Sequence, residues 1–279
     1  MQLTSDVRSP AESLISKVAV VTGAGAGIGA ATVAELAERG MSVVAADING
    51  EAASAQAEAI DASDGRVVAA QVDVSEETDV ARMLKLAVDT FGRLDLLYNN
   101  AAATQVSVED ADIAEMDVAI WDRTMAVNLR GAMLGCKHAI PHMLRSGGGV
   151  IINASSGAGT LAEPIRVAYG ASKAALNSLT RSVAVQYGKH NIRCVSIAPG
   201  ITMATETQDL IRETGWFQMM GRHHLTPDLG TPRDIARLVA FLASDSARFI
   251  TGCLVPIDGG ITAAVPYTDE IRGQGTGIF

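Results

Sequence analysis

Short apolar runs bounded by Gly, Asp or Asn recur along the chain. Within each run the apolar residues do not alternate with polar ones, which is typical of strands buried on both faces of a parallel sheet. The pattern predicts seven such strands: Val18 to Val21, Val43 to Ala46, Val67 to Val72, Leu94 to Tyr98, Val150 to Ile152, Cys194 to Ile197 and Cys253 to Ile257.

Longer stretches of helical composition separate these runs. They are Ile28 to Arg39, Glu76 to Phe91, Trp121 to Leu144 and Ala171 to Tyr187. Two helix starts carry further signals, because Ser75 precedes a turn of acidic residues and Thr231 precedes Pro232 at a first helical position. Alternating strands and helices predict an α/β fold, a single doubly wound domain with about seven parallel strands and helices on both faces.

The chain contains no internal repeat and no linker that would divide two domains. We therefore expect one domain over residues 17–260, an N-terminal extension over 1–16 and a C-terminal tail over 261–279. With 279 residues, 48% of them hydrophobic, and a mean hydropathy of +0.22, the chain has enough apolar surface for a sizeable core.

Charge and cysteine content narrow the function classes. A net charge of −9 opposes binding to nucleic acid or an anionic membrane, and no apolar run approaches the roughly 18 residues of a membrane span or forms a signal peptide. The chain has an odd number of cysteines without the spacing of metal ligands: Cys136, Cys194 and Cys253. This favours reduced thiols in the core of a cytoplasmic protein. His223 and His224 have no third ligand nearby, so we predict no metal site.

A glycine-rich segment, Thr22 to Gly29, turns the first predicted strand sharply into a helix. Glycines there permit the turn, the approach of a pyrophosphate and close helix packing, while the helix N-terminus offers free N–H donors. Asp47 ends the second predicted strand and lies 47 − 29 = 18 residues after Gly29. This is near the spacing of about 20 residues expected for the acidic residue that holds the adenosine ribose. A 2′-phosphate about 4 Å away would be repelled by roughly 1 to 4 kcal/mol, so we expect NAD rather than NADP. The alternative is a solvated Asp47 without a ribose role.

Tyr169 and Lys173 lie four residues apart and would share one face of a helix. A phenol has a pKa near 10, so Tyr169 becomes a useful base only if a nearby cation, such as Lys173 or an oxidised nicotinamide, lowers that pKa. The pair predicts acid/base chemistry at a substrate oxygen, although so short a motif also arises by chance.

Further motifs accompany this pair in a fixed order. The motifs that come before the pair are Asp73-Val74, Asn99-Asn100-Ala101, Asn128 and Ser156. Those that come after it are Pro199-Gly200 and Ile257-Asp258-Gly259-Gly260. Over about Lys17 to Gly260 the series resembles the core branch of the short-chain dehydrogenase/reductase family, whose domain is a Rossmann fold.

The resemblance implies a catalytic set of Asn128, Ser156, Tyr169 and Lys173. Tyr169 would carry the proton, Lys173 would also hold the nicotinamide ribose, Ser156 would hydrogen-bond the substrate oxygen, and Asn128 would anchor a water in a proton relay. We choose Ser156 over the alternative Ser155 because 169 − 156 = 13 residues is the separation usual in the family. The implied cofactor contacts are Gly23, Gly27, Ile28, Gly29, Asp47, Ile48, Asp73, Val74, Asn100, Ala101, Tyr169, Lys173, Pro199, Gly200, Ile201 and Thr202.

Two positions depart from the family pattern. Ala102 replaces the glycine that usually completes the fourth-strand motif, which questions the turn geometry near adenosine. Ala204 stands where a threonine often contacts the cofactor, a contact for which Thr202 or Thr205 would substitute.

The segment after Gly200, about residues 201–230, should lie over the reacting carbon as a substrate lid. Its apolar residues predict either a pocket for an apolar, cyclic or bulky substrate or a small core of the lid itself. They are Met203, Trp216, Phe217, Met219 and Met220. Four residues between the serine and the tyrosine are further candidates for the pocket wall: Leu161, Glu163, Ile165 and Arg166.

The sequence therefore predicts an oxidoreductase that moves a hydride between NAD(H) and a secondary alcohol or ketone. The alternatives are an NADPH-dependent 3-oxoacyl-thioester reductase and a non-catalytic NAD(H)-sensing protein. Resemblance also implies a homo-oligomer, a tetramer or dimer built from the helices that hold Asn128 and Tyr169.

Overall fold

The computed structural model describes residues 14–60, 66–106, 108–204, 207–209, 212–265 and 268, without the side chains of Trp216 and Met220. Within this part, seven strands form one sheet: β1 (Val18–Thr22), β2 (Ser42–Asp47), β3 (Val67–Gln71), β4 (Leu96–Asn99), β5 (Gly149–Ala154), β6 (Ile192–Pro199) and β7 (Leu254–Ile257). Their order is β3-β2-β1-β4-β5-β6-β7 and every neighbouring pair is parallel. The predicted doubly wound α/β fold is confirmed.

Eight helices of eight residues or more flank the sheet in the described part of the chain. They are α1 (Gly27–Glu38), α2 (Gly50–Ile60), α3 (Glu77–Phe91), α4 (Val118–Met125), α5 (Gly131–Ser146), α6 (Val167–Tyr187), α7 (Gly215–His223) and α8 (Pro232–Ala243). None of the described helices is long and apolar enough to cross a membrane.

The strands lack polar alternation because successive residues enter two different cores. Val21 of β1 packs with Leu36 of α1 and Val239 of α8 on one face of the sheet. Val20 packs with Leu84 of α3 on the other face. Each fully buried side chain of this size contributes about 1.5–3 kcal/mol, so apolar residues are favoured at every strand position.

The strand order reverses at β1. The chain moves outward from β1 to β2 and β3, then returns to place β4 on the other side of β1. A crevice opens at such a switch point, beyond the carboxyl ends of the strands. The glycine segment after β1 and the asparagines of β4 therefore meet at one place.

Helix boundaries differ from the predictions in two instructive ways. The α3 N-cap is Glu76 rather than Ser75, because the Ser75 hydroxyl donates to Asp73 at 2.6 Å and belongs to the preceding turn. The helix predicted from Trp121 is interrupted by a π-helical turn at Ala126–Arg130. Thr231 does form the expected cap of α8, in a reciprocal capping box with Asp234.

The structure shows whether the cysteines, the histidine pair and the start of the described chain are buried. Cys136 and Cys194 are buried as predicted, whereas Cys253 is exposed because it lies beside β7, which has a neighbour on one side only. His224 is buried, whereas its neighbour His223 is exposed. Leu14, within the predicted N-terminal extension, packs fully buried in the core that contains Val21. Residues 1–13 lie outside the described part.

Candidate active site

A cavity of about 1140 Å³ lies at the carboxyl edge of the sheet. Small-molecule pockets measure about 300–1,000 Å³, so this one has room for a dinucleotide and a second ligand. Every predicted cofactor contact lines it except Gly29, and so do Ser156, Tyr169 and Lys173 of the predicted catalytic set. Asn128 lies behind the wall, 2% exposed.

The glycine segment forms the cavity wall at the start of α1. Gly23 and Gly27 have φ values of +66° and +55°, which side-chain-bearing residues rarely adopt, and the space beside Gly27 is open. A Cβ at Gly29 would lie 1.9 Å from the carbonyl oxygen of Gly23. Gly29 is therefore a packing residue at the start of α1, and its contact with the cofactor stays a prediction. The open cradle at a helix N-terminus fits phosphate groups.

Asp47 is held beside this segment by two main-chain donors. Its Oδ2 accepts from Gly25 N–H at 2.9 Å, and its Oδ1 accepts from Asn49 N–H at 2.9 Å. The carboxylate thus sits at the cavity wall at the end of β2, where the sequence places the ribose contact.

Asp73 faces the same end of the cavity, where Arg123 adds a cation that the sequence motifs did not reveal. Partial burial acts to raise the pKa of Asp73, but hydrogen bonds from Ser75 and the charge of Arg123 outweigh it, and the pKa falls below its ordinary value. The Arg123 guanidinium lies 3.4 Å from Asp73. This pairing fixes the loop after β3.

Asn100 connects the end of β4 to the glycine segment. Its side-chain amide donates to the carbonyl oxygens of Thr22 at 2.9 Å and Gly23 at 3.2 Å. Ala102 lines the cavity and is not among the described non-glycine residues with positive φ. An alanine is accommodated there without backbone strain, so this departure does not disturb the turn.

Lys173 is 2% exposed and donates from Nζ to the carbonyl oxygen of Ala154 at 2.7 Å. Burial lowers the pKa of its ammonium group to about 8. The Nζ also lies 5.4 Å from the centroid of the Tyr169 ring, so the spacing of four residues does place both groups on one face of α6.

Burial raises the pKa of the Tyr169 phenol above 10.0, although a hydrogen bond with Ser156 and the charge of Arg166 act in the opposite direction. Desolvation therefore outweighs the protein groups that favour the phenolate. That Lys173 together with an oxidised nicotinamide lowers this pKa stays a prediction.

The two candidate serines have different surroundings. Ser155 is buried and donates to the carbonyl oxygen of Lys173 at 3.3 Å. Ser156 lines the cavity, contacts Tyr169 and accepts from Ala158 N–H at 3.2 Å. The geometry favours Ser156, the choice made from its spacing.

Asn128 occupies the π-helical turn between α4 and α5. Its Oδ1 accepts from Ala103 N–H at 2.9 Å and its Nδ2 donates to the Ser172 hydroxyl at 3.1 Å. The side chain ties the segment after β4 to α6, next to Tyr169. π-Helical turns occur frequently at functional sites.

The cavity wall combines apolar side chains with charged ones. It includes the segment from Leu161 to Arg166, as expected, and also Ile261 and Thr262, which the sequence placed in the tail. Thr202 lines the cavity, whereas Thr205 lies outside the described residues.

Among the described residues of the segment 201–230, Ile201 and Thr202 are the ones that line the cavity. Met203, Phe217 and Met219 do not line the cavity among the described residues, and the side chains of Trp216 and Met220 are not described. Gln208 instead donates to the carbonyl oxygens of Met203 and Gly230, which holds the two ends of this segment together. The expectation of a methionine-lined pocket is not met by the described side chains.

Asp110 is a buried residue of the site that no sequence motif indicated. Its carboxylate accepts from the main-chain N–H groups of Ala168 and Tyr169, 58 and 59 residues further along the chain. Because the two partners are so far apart in the chain, their contact produces no periodic pattern in the sequence.

The chain is similar to known proteins over about nine tenths of its length. A family model described as enoyl-(acyl carrier protein) reductase matches residues 23–262. A probable short-chain type dehydrogenase/reductase of Bradyrhizobium diazoefficiens is 47% identical, with 91% of this chain and 90% of that protein covered. The cis-4-hydroxycyclohexanecarboxylate dehydrogenase of Sinomonas cyclohexanicum is 39% identical, with 90% and 99% covered. A solved 7α-hydroxysteroid dehydrogenase, complexed with NADH and 7-oxo glycochenodeoxycholic acid, gives a TM-score of 0.82 at 31% identity, with 91% and 98% covered.

Proposed function

Since the chain belongs to the short-chain dehydrogenase/reductase family and is an oxidoreductase with a nicotinamide dinucleotide cofactor, we propose that it uses NAD(H) to interconvert an apolar, cyclic secondary alcohol and its ketone. The observation that carries the proposal is the convergence of Ser156, Tyr169 and Lys173 on one cavity. The resemblance implies that Tyr169 carries the proton, that Ser156 hydrogen-bonds the substrate oxygen and that Lys173 holds the nicotinamide ribose, and the fold brings these three residues together.

The nicotinamide, when bound, supplies or accepts the hydride. Gly23, Gly27 and Asn100 would hold the dinucleotide along the glycine segment, and Asp47 would accept from the adenosine ribose. No side-chain cation lies in the glycine segment to pair with a 2′-phosphate. These features support NAD over NADP.

Tyr169 moves the proton at its Oη. In the direction of oxidation it takes the proton of the alcohol, and in the direction of reduction it returns the proton to the ketone oxygen. Ser156 hydrogen-bonds the same oxygen. Because burial raises the pKa of Tyr169, the phenolate forms only with help from positive charge near the ring, which an oxidised nicotinamide provides.

Apolar wall residues support a cyclic substrate. Leu161 and Ile165 line the cavity beside Tyr169, as do Ile201 and Ile261. The names of two similar proteins also indicate ring substrates, since one is named for cis-4-hydroxycyclohexanecarboxylate and the other was solved with 7-oxo glycochenodeoxycholic acid. The proposed substrate class rests on this analogy and on the apolar side chains that line the cavity.

The first experiment measures reduction of NAD and NADP in parallel with cyclic, aromatic and steroidal secondary alcohols. We expect turnover with NAD and a cyclic alcohol. The family model description favours thioester chemistry as a second candidate, so the panel also contains 3-oxoacyl and enoyl thioesters with NADH and NADPH. Turnover confined to thioesters with NADPH would replace the proposal, and tight NADH binding without any turnover would favour a sensor.

We also propose a homo-oligomer that uses α5 and α6. Val185 on α6 is 83% exposed, and Met133 and Leu144 on α5 are also exposed, so an oligomer that uses these helices would cover apolar side chains. Light scattering during gel filtration tests this, because a monomer mass would exclude it. The cytoplasmic location stays a prediction from the cysteine content.

A further inference from the structure

We propose that Asp110 is the positioning residue that sets the place of Tyr169 in the cavity, an inference that rests on the proposed proton-carrying role of Tyr169. Asp110 lies in the segment between β4 and α4, whereas Tyr169 lies in the first turn of α6. Its side chain is 3% exposed. A buried carboxylate requires specific hydrogen bonds to remain stable.

Asp110 makes three hydrogen bonds to the start of α6. Its Oδ1 accepts from Ala168 N–H at 3.0 Å and its Oδ2 accepts from Tyr169 N–H at 2.8 Å. Its main-chain carbonyl accepts from Arg166 N–H at 2.8 Å. One residue from a distant segment therefore satisfies the N–H groups that a helix start leaves without intrahelical partners.

The local sequence does not provide this cap. Arg166, at the N-cap position of α6, has φ 64° and ψ 45°, and its side chain makes no capping hydrogen bond. Its guanidinium instead pairs with Glu163 and lies 5.2 Å from the centroid of the Tyr169 ring. A left-handed conformation is strained at a non-glycine residue, so another interaction must hold the chain there. Asp110 supplies it.

Fixing the first turn of α6 fixes the phenol. Tyr169 is the third residue of the helix, and its own N–H is one of the two bound by the carboxylate. Ser156, in contrast, is carried by the end of β5. The distance between the phenol and the serine hydroxyl therefore depends on how α6 is docked, which Asp110 controls through the main chain.

Asp110 acts by position and not by its charge on the phenol. The groups that shift the pKa of Tyr169 are Ser156, Arg166 and Glu163, together with burial. If the helix start moved, the hydrogen bond with Ser156 would weaken, and the pKa of Tyr169 would rise. Loss of Asp110 should therefore raise the pKa of Tyr169, which a general loss of stability would not do.

The test compares Asp110→Ala, Asp110→Asn and Asp95→Ala with the wild type on one alcohol and NAD. Asp95 is the matched control: it is also buried and its carboxylate accepts from a main-chain N–H, that of Val18, but at the amino edge of the sheet. A displacement of about 1 Å can cost about 10²-fold in rate, so we expect kcat to fall by about that factor in Asp110→Ala. The Asn variant keeps one acceptor oxygen and should fall less.

Three further readouts separate positioning from stability. In Asp110→Ala the KM for NAD should stay unchanged, while the rising limb of the kcat profile, which reports the deprotonated Tyr169 needed for alcohol oxidation, moves to higher pH. Asp95→Ala should lower the melting temperature and leave kcat and the profile as in the wild type. Equal effects of the two alanine variants on kcat and profile, or a wild-type profile in Asp110→Ala, would overturn the inference.

Failure of the proposed function has a different outcome. If the wild type turns over no alcohol, titration of 13Cζ-labelled tyrosine by NMR still reports the pKa of Tyr169, whose signal is assigned by its absence in Tyr169→Phe. A higher pKa in Asp110→Ala than in the wild type and Asp95→Ala would support the positioning role without reference to any reaction. An unchanged pKa would reject it.

Discussion

The Nζ of Lys173 donates a 2.7 Å hydrogen bond to the carbonyl oxygen of Ala154, which anchors helix α6 on the end of strand β5. Ser156 follows Ala154 by two residues, so the lysine and the serine are held by the same short segment of main chain. The ammonium group is nevertheless desolvated, which lowers its pKa to about 8.

This lowered pKa predicts how stability depends on pH. Below pH 8 the lysine is charged in both the folded and the unfolded protein, and the cost of burying the charge is fully present. Between about pH 8 and 10.5 the folded protein releases this proton first, so the contribution to the free energy of unfolding rises with pH, by about 1.4 kcal/mol per unit.

Lys173→Met should remove this rise. Urea denaturation at pH 7 to 10 measures it, as the difference in the free energy of unfolding between variant and wild type. Lys85→Met, at a lysine whose side chain is 68% exposed, is the control. A difference for Lys173→Met that stays constant over this range would show that the buried ammonium group does not carry the pH dependence.

Tyr169→Phe should reduce kcat by about 10²–10⁴-fold, because only the phenolic hydroxyl can move the proton. The affinity for NADH, measured by nucleotide fluorescence, should remain near the wild-type value since the ring is retained. Tyr187→Phe, at the other end of α6, is the control and should not alter kcat. Equal loss of NADH affinity and turnover would point to a folding defect instead.

Asp47→Asn should raise kcat/KM for NADP relative to NAD. Removing a repulsion of about 1 to 4 kcal/mol corresponds to roughly 5-fold to 10³-fold in that ratio. Steady-state kinetics with both cofactors measures it. Glu51→Gln, which makes the same charge change at the start of α2, should leave the ratio unchanged, and an equal shift in both variants would assign the preference to general charge.

Gly29→Ala should destabilise the fold, because the new Cβ would lie 1.9 Å from the carbonyl oxygen of Gly23 and the backbone of α1 or β1 must shift. Overpacking typically costs about 1–3 kcal/mol, and NADH affinity should fall as well because Gly23 lines the cavity. Gly188→Ala, with open space around the added carbon, is the control in urea denaturation. Wild-type stability of Gly29→Ala would reject the packing role.

Sequence alone determined the parts of this protein that depend on local periodicity. Continuous apolar runs identified all seven strands, because a strand between two helical layers buries both faces. A turn and a helix each place residues at fixed spacings. The sequence therefore identified the Thr22 to Gly29 segment and the Tyr169–Lys173 pair. These features, with the order of motifs, were sufficient to predict the fold class and the family, both of which are confirmed.

Only the tertiary structure decided what depends on contacts between distant segments. The cap of α6 by Asp110, the exposure of Cys253 beside β7, and the position of Met203 away from the cavity follow from how complete elements pack, and none has a sequence period. The raised pKa of Tyr169 belongs to this group as well. Desolvation depends on everything that surrounds the ring, whereas the sequence shows only the residues beside it in the chain.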